Sequence, residues 1–368
     1  MKINSAARPR VIWVTNSPAP YRIPVWEALG EILDLEVHLF EKPDLAGSGR
    51  RGAEWNATNI SPTGFSLRQL RSRRFGKGER VYYLLRERPA RVLKGCRAVV
   101  LGAWESPACW QLNFAGWFRG VRRIGFYEST LHSQHHSRGP IRWARDAFFR
   151  SLHAVVVPGT AAERAVLDMG VPPDRIYRGF NAVDVQAFAE ATEPASAAAD
   201  TGHRYLYVGQ LIRRKNVHAL IRAFAAIYAD GDRLTIVGDG PERASLECLA
   251  NALGVRAAVD FTGPATYADL PGIMKGNDTL VLPSVEEVWG LVVNEALASG
   301  AHVVVSETAG VAESVRGMPG VYLSPPETFA TAQAMAASRS DWRGRVRQPP
   351  ILRHTPEAFA DVFARAII

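Results

Sequence analysis

The stretch Pro283-Ser-Val-Glu-Glu-Val-Trp-Gly-Leu-Val-Val-Asn-Glu-Ala-Leu-Ala-Ser-Gly300 decides how this chain reads. The run Thr279–Leu282 just before it is apolar and short, as a strand buried on both faces would be. After Gly290 the pattern is helical. Glu287 therefore falls in the loop between strand and helix, and Glu295 about one turn inside the helix. Between them Gly290, Leu291 and Val292 supply the free N–H groups of a helix N-terminus. Such an end carries about half a positive charge and binds phosphate. With one carboxylate before it and one within it, hydroxyls on both sides of that phosphate find acceptors. The geometry suits a ligand with a sugar, a diphosphate and a ribose in a row.

Outward from this stretch, short β-branched runs alternate with helical patterns. In the first half strands are predicted at Val11–Thr15, Leu35–Phe40, Ala98–Leu101, Arg123–Tyr127, Ala154–Pro158 and Arg175–Arg178. In the second half they are predicted at Tyr205–Val208, Arg233–Val237, Val259–Phe261, Thr279–Leu282, His302–Val305 and Val321–Leu323. Helices such as Thr160–Met169, Val217–Tyr228 and Glu242–Leu253 lie between them. Two such series imply an α/β protein of two Rossmann-like, doubly wound parallel-sheet domains. The small, polar stretch 190–202 reads as a linker between a first domain (1–189) and a second (203–345). In the remainder (346–368) a helix at Pro356–Ala366 is expected to pack on either domain, the first included.

A length of 368 residues suits two domains. Apolar content of 47% and charged content of 22% are those of a globular protein. The net charge of +8 favours anionic partners: nucleotides, nucleic acid or anionic lipid. Cys96, Cys109 and Cys248 form neither a disulfide framework nor a zinc spacing, which points to a reducing, cytoplasmic compartment. The first ten residues hold no apolar signal core, and no run of about 18 apolar residues exists to cross a membrane. Attachment to the inner membrane surface stays open.

Three further motifs end predicted strands. Tyr205-Leu-Tyr-Val-Gly-Gln-Leu-Ile-Arg-Arg-Lys-Asn216 sets Arg213, Arg214 and Lys215 in a loop before a helix that Asn216 is suited to cap. A cationic loop at the C-terminal edge of a parallel sheet lies where such sheets bind ligands. The solvated basic loop is the plain alternative. Val237-Gly-Asp-Gly-Pro-Glu242 lacks the third glycine of a dinucleotide fingerprint and reads as a turn that shapes the mouth of a site. Phe261-Thr-Gly263 ends the next strand, where a glycine admits a flat base close to the backbone.

This ordered set resembles the C-terminal half of family-4 glycosyltransferases, which are retaining, metal-independent enzymes of the GT-B fold. Glu287 and Glu295 stand as their E-x(7)-E motif. The segment Val156–Val183, with Asn181-Ala-Val-Asp184 at its end, is similar to the one closing the family's first domain. The resemblance implies two domains facing across a cleft, a nucleotide-diphosphate sugar as donor and no cofactor. Lys215, with Arg213 or Arg214, should hold the diphosphate, the N–H groups of Leu291 and Val292 the distal phosphate, and Glu295 the ribose hydroxyls. Glu287 should lie beside the donor sugar, Gly209 and Gln210 at the strand end, Gly290 at the helix start, and the base near Gly263 and Pro264. Two departures stand out: Gln210 replaces a frequent Arg, and Trp289 replaces the usual Phe.

The first half is less marked. Asn16-Ser-Pro-Ala-Pro-Tyr-Arg-Ile-Pro24 follows the first strand, and Tyr21 and Arg22 are its candidates for the acceptor side, Arg22 reaching a phosphate or an acceptor. Prolines stand there where resembling enzymes often have glycines. Glu128-Ser-Thr-Leu-His-Ser-Gln-His-His136 follows another strand and offers Glu128 and His132 to the cleft, with no metal-ligand spacing. Arg68–Arg97 is rich in cations interleaved with Phe75, Tyr82, Tyr83, Leu84 and Leu85. It reads as a surface for anionic membrane or as a solvated helical face, and no recognition motif argues for nucleic acid. The expected activity is transfer of a sugar to a hydroxyl acceptor, whether a cell-envelope glycan, a lipid-linked acceptor or a small molecule. The alternative is a binding module of the same fold without turnover.

Overall fold

The computed structural model describes residues 8–41, 63–77, 80–134, 136–191 and 202–368. In the first half lie β1 (Arg10–Thr15), β2 (Asp34–Leu39), β3 (Phe65–Gln69), β4 (Ser72–Lys77), β5 (Arg80–Leu85), β6 (Ala98–Leu101), β7 (Arg122–Phe126), β8 (Ala154–Pro158) and β9 (Ile176–Gly179). The second half holds β10 (Arg204–Val208), β11 (Arg233–Val237), β12 (Val259–Gly263), β13 (Thr279–Leu282), β14 (His302–Ser306) and β15 (Val321–Ser324). Two parallel sheets result, ordered β3-β2-β1-β6-β7-β8-β9 and β12-β11-β10-β13-β14-β15. In each, the chain winds outward one way from the first strand and then the other, so the order reverses between β1 and β6 and between β10 and β13.

Side chains of β1 show why both faces are covered. Successive residues of a strand point to opposite faces. Ile12 and Val14 pack with Leu112 and Phe148, from the helices Pro107–Phe118 and Pro140–Arg150. Val11 and Trp13 pack with Trp26, Leu29 and Phe363 on the other face. Phe363 belongs to the last helix, Pro356–Ile367, whose N-cap Thr355 accepts a hydrogen bond from the Ala358 N–H. Its ring lies 4.5 Å from Trp13 and 5.3 Å from Phe126, so this helix is part of the first sheet's cover. Among the described residues no helix is long and apolar enough to cross a membrane.

Three expectations need correcting. The basic stretch is not a helical face: β4 and β5 pair antiparallel there as a hairpin. Val81, Tyr83 and Leu85 are buried beneath it while Leu84 is exposed, an alternation of period two that the flanking arginines obscured. The crossing between sheets comes before the stretch 190–202, of which 192–201 lie outside the described residues. Val183, Val185 and Phe188 already pack in the second sheet's core, because the helix Val185–Glu190 buries its apolar side there. Asn216 stands at the N-cap position, but its side chain makes no capping hydrogen bond. It has φ of 58°, and its amide donates to the carbonyls of Pro283 (3.1 Å) and Pro326 (2.7 Å). Those carbonyls draw the side chain toward two other loops.

Candidate functional site

A cleft of about 1080 Å³ opens between the C-terminal edges of the two sheets. The loops after β1 and β6 line it on one side, and those after β10 and β13 on the other. All four flank the points where strand order reverses, the ligand position characteristic of open α/β sheets.

On the second-domain wall, the loop after β10 folds into a short turn, Arg213–Lys215. The Arg214 carbonyl accepts from the Val285 N–H at 2.9 Å, which ties this loop to the one after β13. Lys215 Nζ forms an ion pair with Glu287, whose carboxylate also accepts from Ser284 Oγ at 3.4 Å. Arg214 lines the cleft too, and no ion pair engages its guanidinium among the described residues. Of the two alternatives offered beside Lys215, Arg214 is thus on the lining, and Arg213 is exposed and not part of it. The turn offers its side chains in different directions, so only two of the three cations share the site.

Gly290 has φ of 99°, and a Cβ on it would meet Leu282 Cδ2 at 2.7 Å. Only glycine fits this corner, and it opens the helix Leu291–Ala298 toward the cleft, with Leu291 and Val292 on the lining. Glu295, one turn in, also lines the cleft although the residue is only 5% exposed. No hydrogen bond or ion pair holds its carboxylate among the described residues, and burial pushes its pKa up to about 8. The neighbouring Tyr267 is raised as well, by burial first and then by Glu295. Gly209, Gln210 and Pro264 lie on the same wall. Gly263 is just behind it, its carbonyl taking the Gly238 N–H at 2.8 Å.

On the first-domain wall Tyr21, Arg22 and Glu128 line the cleft. Arg22 is 4% exposed, and its guanidinium carbon stands 4.6 Å from the centre of the Phe126 ring. It donates to Glu128 Oε1 at 3.0 Å and to Asn181 Oδ1 at 3.2 Å. Arg22, expected to reach a phosphate or an acceptor, thus lines the cleft as part of a buried clamp with Glu128 and Asn181. His132 is exposed and away from the cleft, because Thr130 and Ser133 close a tight turn (Thr130 N–H to Ser133 Oγ, 2.8 Å) that swings it outward. His135 lies outside the described residues.

Sequence reasoning assigned no role to Trp104, Glu105, Tyr127, Asn181 or Tyr267, all of which line the cleft. Trp104 and Glu105 follow β6 at the order reversal, a positional signal that was available. Asn181 carried none, since its side-chain partners are remote in the chain.

Two doubly wound sheets facing each other across a cleft, with the site at both reversal points, define the GT-B architecture. Comparison with solved structures agrees. The chain matches Anabaena Alr3699/HepE in complex with UDP at a TM-score of 0.70 and 16% identity, over 97% of this chain and 94% of that one. It matches the lipopolysaccharide outer core galactosyltransferase WaaB at 0.70 and 16%, over 97% and 99%. At such identity the likeness is one of fold. In sequence, residues 189–339 match the family described as glycosyl transferases group 1. An uncharacterized glycosyltransferase of Methanocaldococcus jannaschii is 30% identical over 53% of this chain and 52% of its own length. The alpha-D-kanosaminyltransferase of Streptomyces kanamyceticus is 28% identical over 53% of each. The chain spans about half the length of the curated relatives it matches.

Proposed function

We propose that this protein is a retaining, metal-independent glycosyltransferase of family 4 that moves a sugar from a nucleotide-diphosphate sugar to a hydroxyl acceptor. The observation that carries this is Glu295: a buried carboxylate without a hydrogen-bond partner among the described residues, one turn into a helix whose N-terminus opens on the cleft that also holds Lys215 and Arg214. A buried carboxylate is costly unless a ligand completes its hydrogen bonds. Ribose hydroxyls do so, while the helix N-terminus, Lys215 and Arg214 meet the diphosphate. UDP and UDP-glucose are the first probes, since the Anabaena structures hold them.

In the reaction the bond from the anomeric carbon to the diphosphate oxygen breaks, and a bond to the acceptor oxygen forms on the same face. The acceptor's proton passes to the departing phosphate. The residues stabilise charge on that leaving group, where preorganised donors act most strongly. Glu287 holds Lys215 toward it, and Glu128 stands on the acceptor side.

The acceptor is read as lipid-linked and the protein as peripheral on the inner face of an anionic membrane. Supporting this, Phe114, Trp117, Phe118 and Trp143 are between 61% and 75% exposed on the first domain. Arg73 and Phe75 share the outer face of the adjacent hairpin with Tyr82 and Leu84.

The test is a thermal-shift screen of UDP-, GDP-, ADP- and dTDP-sugars, with manganese and with chelator, followed by calorimetry on Glu295→Ala and Lys215→Ala. Each variant should weaken the bound donor about tenfold or more, the loss of one hydrogen bond to a charged group. Unchanged affinity would sink the assignments, and binding lost in chelator would contradict the metal-free mechanism.

A further inference from the structure

Asn181 bonds to both walls of the cleft, through its side chain on one side and its backbone carbonyl on the other. It stands on the chain between β9 and the helix Val185–Glu190, where the chain passes from one sheet to the other. Toward the first domain, its Oδ1 accepts from Arg22 Nη1 at 3.2 Å and its Nδ2 donates to Glu128 Oε1 at 3.0 Å. Toward the second, its backbone carbonyl accepts from Asn294 Nδ2 at 2.6 Å. Asn294 Oδ1 in turn accepts from the Trp289 indole N–H at 3.2 Å. Asn294 is the helix neighbour of Glu295, and Trp289 sits two residues after Glu287. The Trp289 ring also reaches the first domain: a Cβ on Gly159, where φ is 70°, would meet it at 2.6 Å.

The bonds on Glu128 are one-sided. Arg22 and Asn181 both use Oε1, and no bond engages Oε2 among the described residues. The side chain keeps 31% of its exposure, and Glu128 lines the cleft. One oxygen is therefore anchored and the other is left to accept a hydrogen bond from the cleft.

We propose that Asn181 is a positioning residue that sets Glu128 against the donor loop, so that Glu128 Oε2 accepts from an acceptor hydroxyl beside the attacking one and holds the acceptor in register with the donor. This rests on the glycosyltransferase reading above. The relay runs Trp289, Asn294, Asn181, Glu128, and it ties the orientation of an acceptor-side carboxylate to the two segments that grip the donor. The amide at its centre accepts from Arg22 with its oxygen and donates to Glu128 with its nitrogen, two roles on two separate atoms.

Asn181→Asp tests this, since it keeps the shape and the bond from Arg22 but replaces the donor to Glu128 with an acceptor. With the donor and acceptor that the wild type turns over, kcat should fall about tenfold or more, one charge-assisted hydrogen bond's worth. Nucleotide affinity by calorimetry should stay within about twofold, because the variant touches no donor contact. The variant's kcat should recover toward acid pH, once the new carboxyl, which Glu128 raises and the Arg22 guanidinium lowers, regains a proton to donate. The wild type should show no such recovery. Asn181→Ala, which adds no charge, should lose kcat likewise and show no recovery.

Wild-type kcat in either variant overturns the inference alone. So does a parallel loss of kcat and nucleotide affinity, the mark of a merely structural residue. Absence of turnover by the wild type on every donor and acceptor overturns the functional reading and this inference with it.

Discussion

At the scale of single residues, Glu295 carries the clearest consequence. Burial holds its carboxyl up to about 8 in the folded protein, against 4.5 for the free group. Between those values the folded state keeps a proton that the unfolded chain has lost. Stability from this group is therefore present at low pH and falls as pH rises from about 4.5 to 8. Glu295→Gln removes that dependence. In thermal melts without ligand the variant should match the wild type near pH 5 and exceed it increasingly toward pH 8. An unchanged difference across that range would refute the assignment. Binding should pull the other way. Ribose hydroxyls donate to the ionised form, so UDP-glucose should release a proton at pH 7, seen as a calorimetric heat that varies with the buffer. UDP-glucose is preferred to UDP because a terminal phosphate titrates near pH 6 and would confuse the count. The pairing of Lys215 with Glu287 holds both side chains at the cleft lining.

At the scale of elements, the hairpin and the helix Pro107–Phe118 form one surface. The Leu85 N–H donates to Gln111 Oε1 at 2.9 Å, which docks β5 on that helix. Phe114, Trp117 and Phe118 cluster on its outer side, with ring centres 4.7 to 6.2 Å apart. Aromatic rings at a lipid interface with arginines beside them gain from both burial and charge. Vesicles containing anionic lipid should sediment the protein, and neutral vesicles should do so at least about tenfold less, the worth of one or two basic contacts. The double variant Trp117→Ala/Phe118→Ala should lose most of that binding while keeping nucleotide affinity. Equal binding to both vesicle types would contradict the charge argument. This hairpin was also the element least legible in sequence. Its buried Val81, Tyr83 and Leu85 alternate with outward residues, but arginines on every side hid the period. By contrast β6, β8, β11 and β13 fall on their predicted bounds to the residue. β6, β8 and β13 are buried at every position, as short runs covered on both faces are, and β11 keeps Leu234, Ile236 and Val237 buried. The second-domain wall was legible for the same reason, since its residues follow such strands directly. The first-domain wall was not: the partners of Asn181 lie far off in the chain, and the short local turn at Thr130–Ser133 that carries His132 outward has no apolar pattern to mark it.

At the scale of the whole molecule, the last helix holds more than its length suggests. Phe363 lies against Trp13 and Phe126, and the Arg122 guanidinium donates to the Ala366 carbonyl at 2.8 Å. Phe363→Ala should cost about 3–5 kcal/mol in urea unfolding, as for a large buried ring. A loss under about 1 kcal/mol would mean that the helix is dispensable. Because this helix covers the first sheet, the chain must cross between domains a second time, just before it. At the two crossings Phe180 and His354 stack face to face, 3.9 Å apart. The second domain is in effect a long insertion, looped out of the first between two touching posts. Any movement of one half against the other must therefore be absorbed by both connections at once, Phe180 and His354 included.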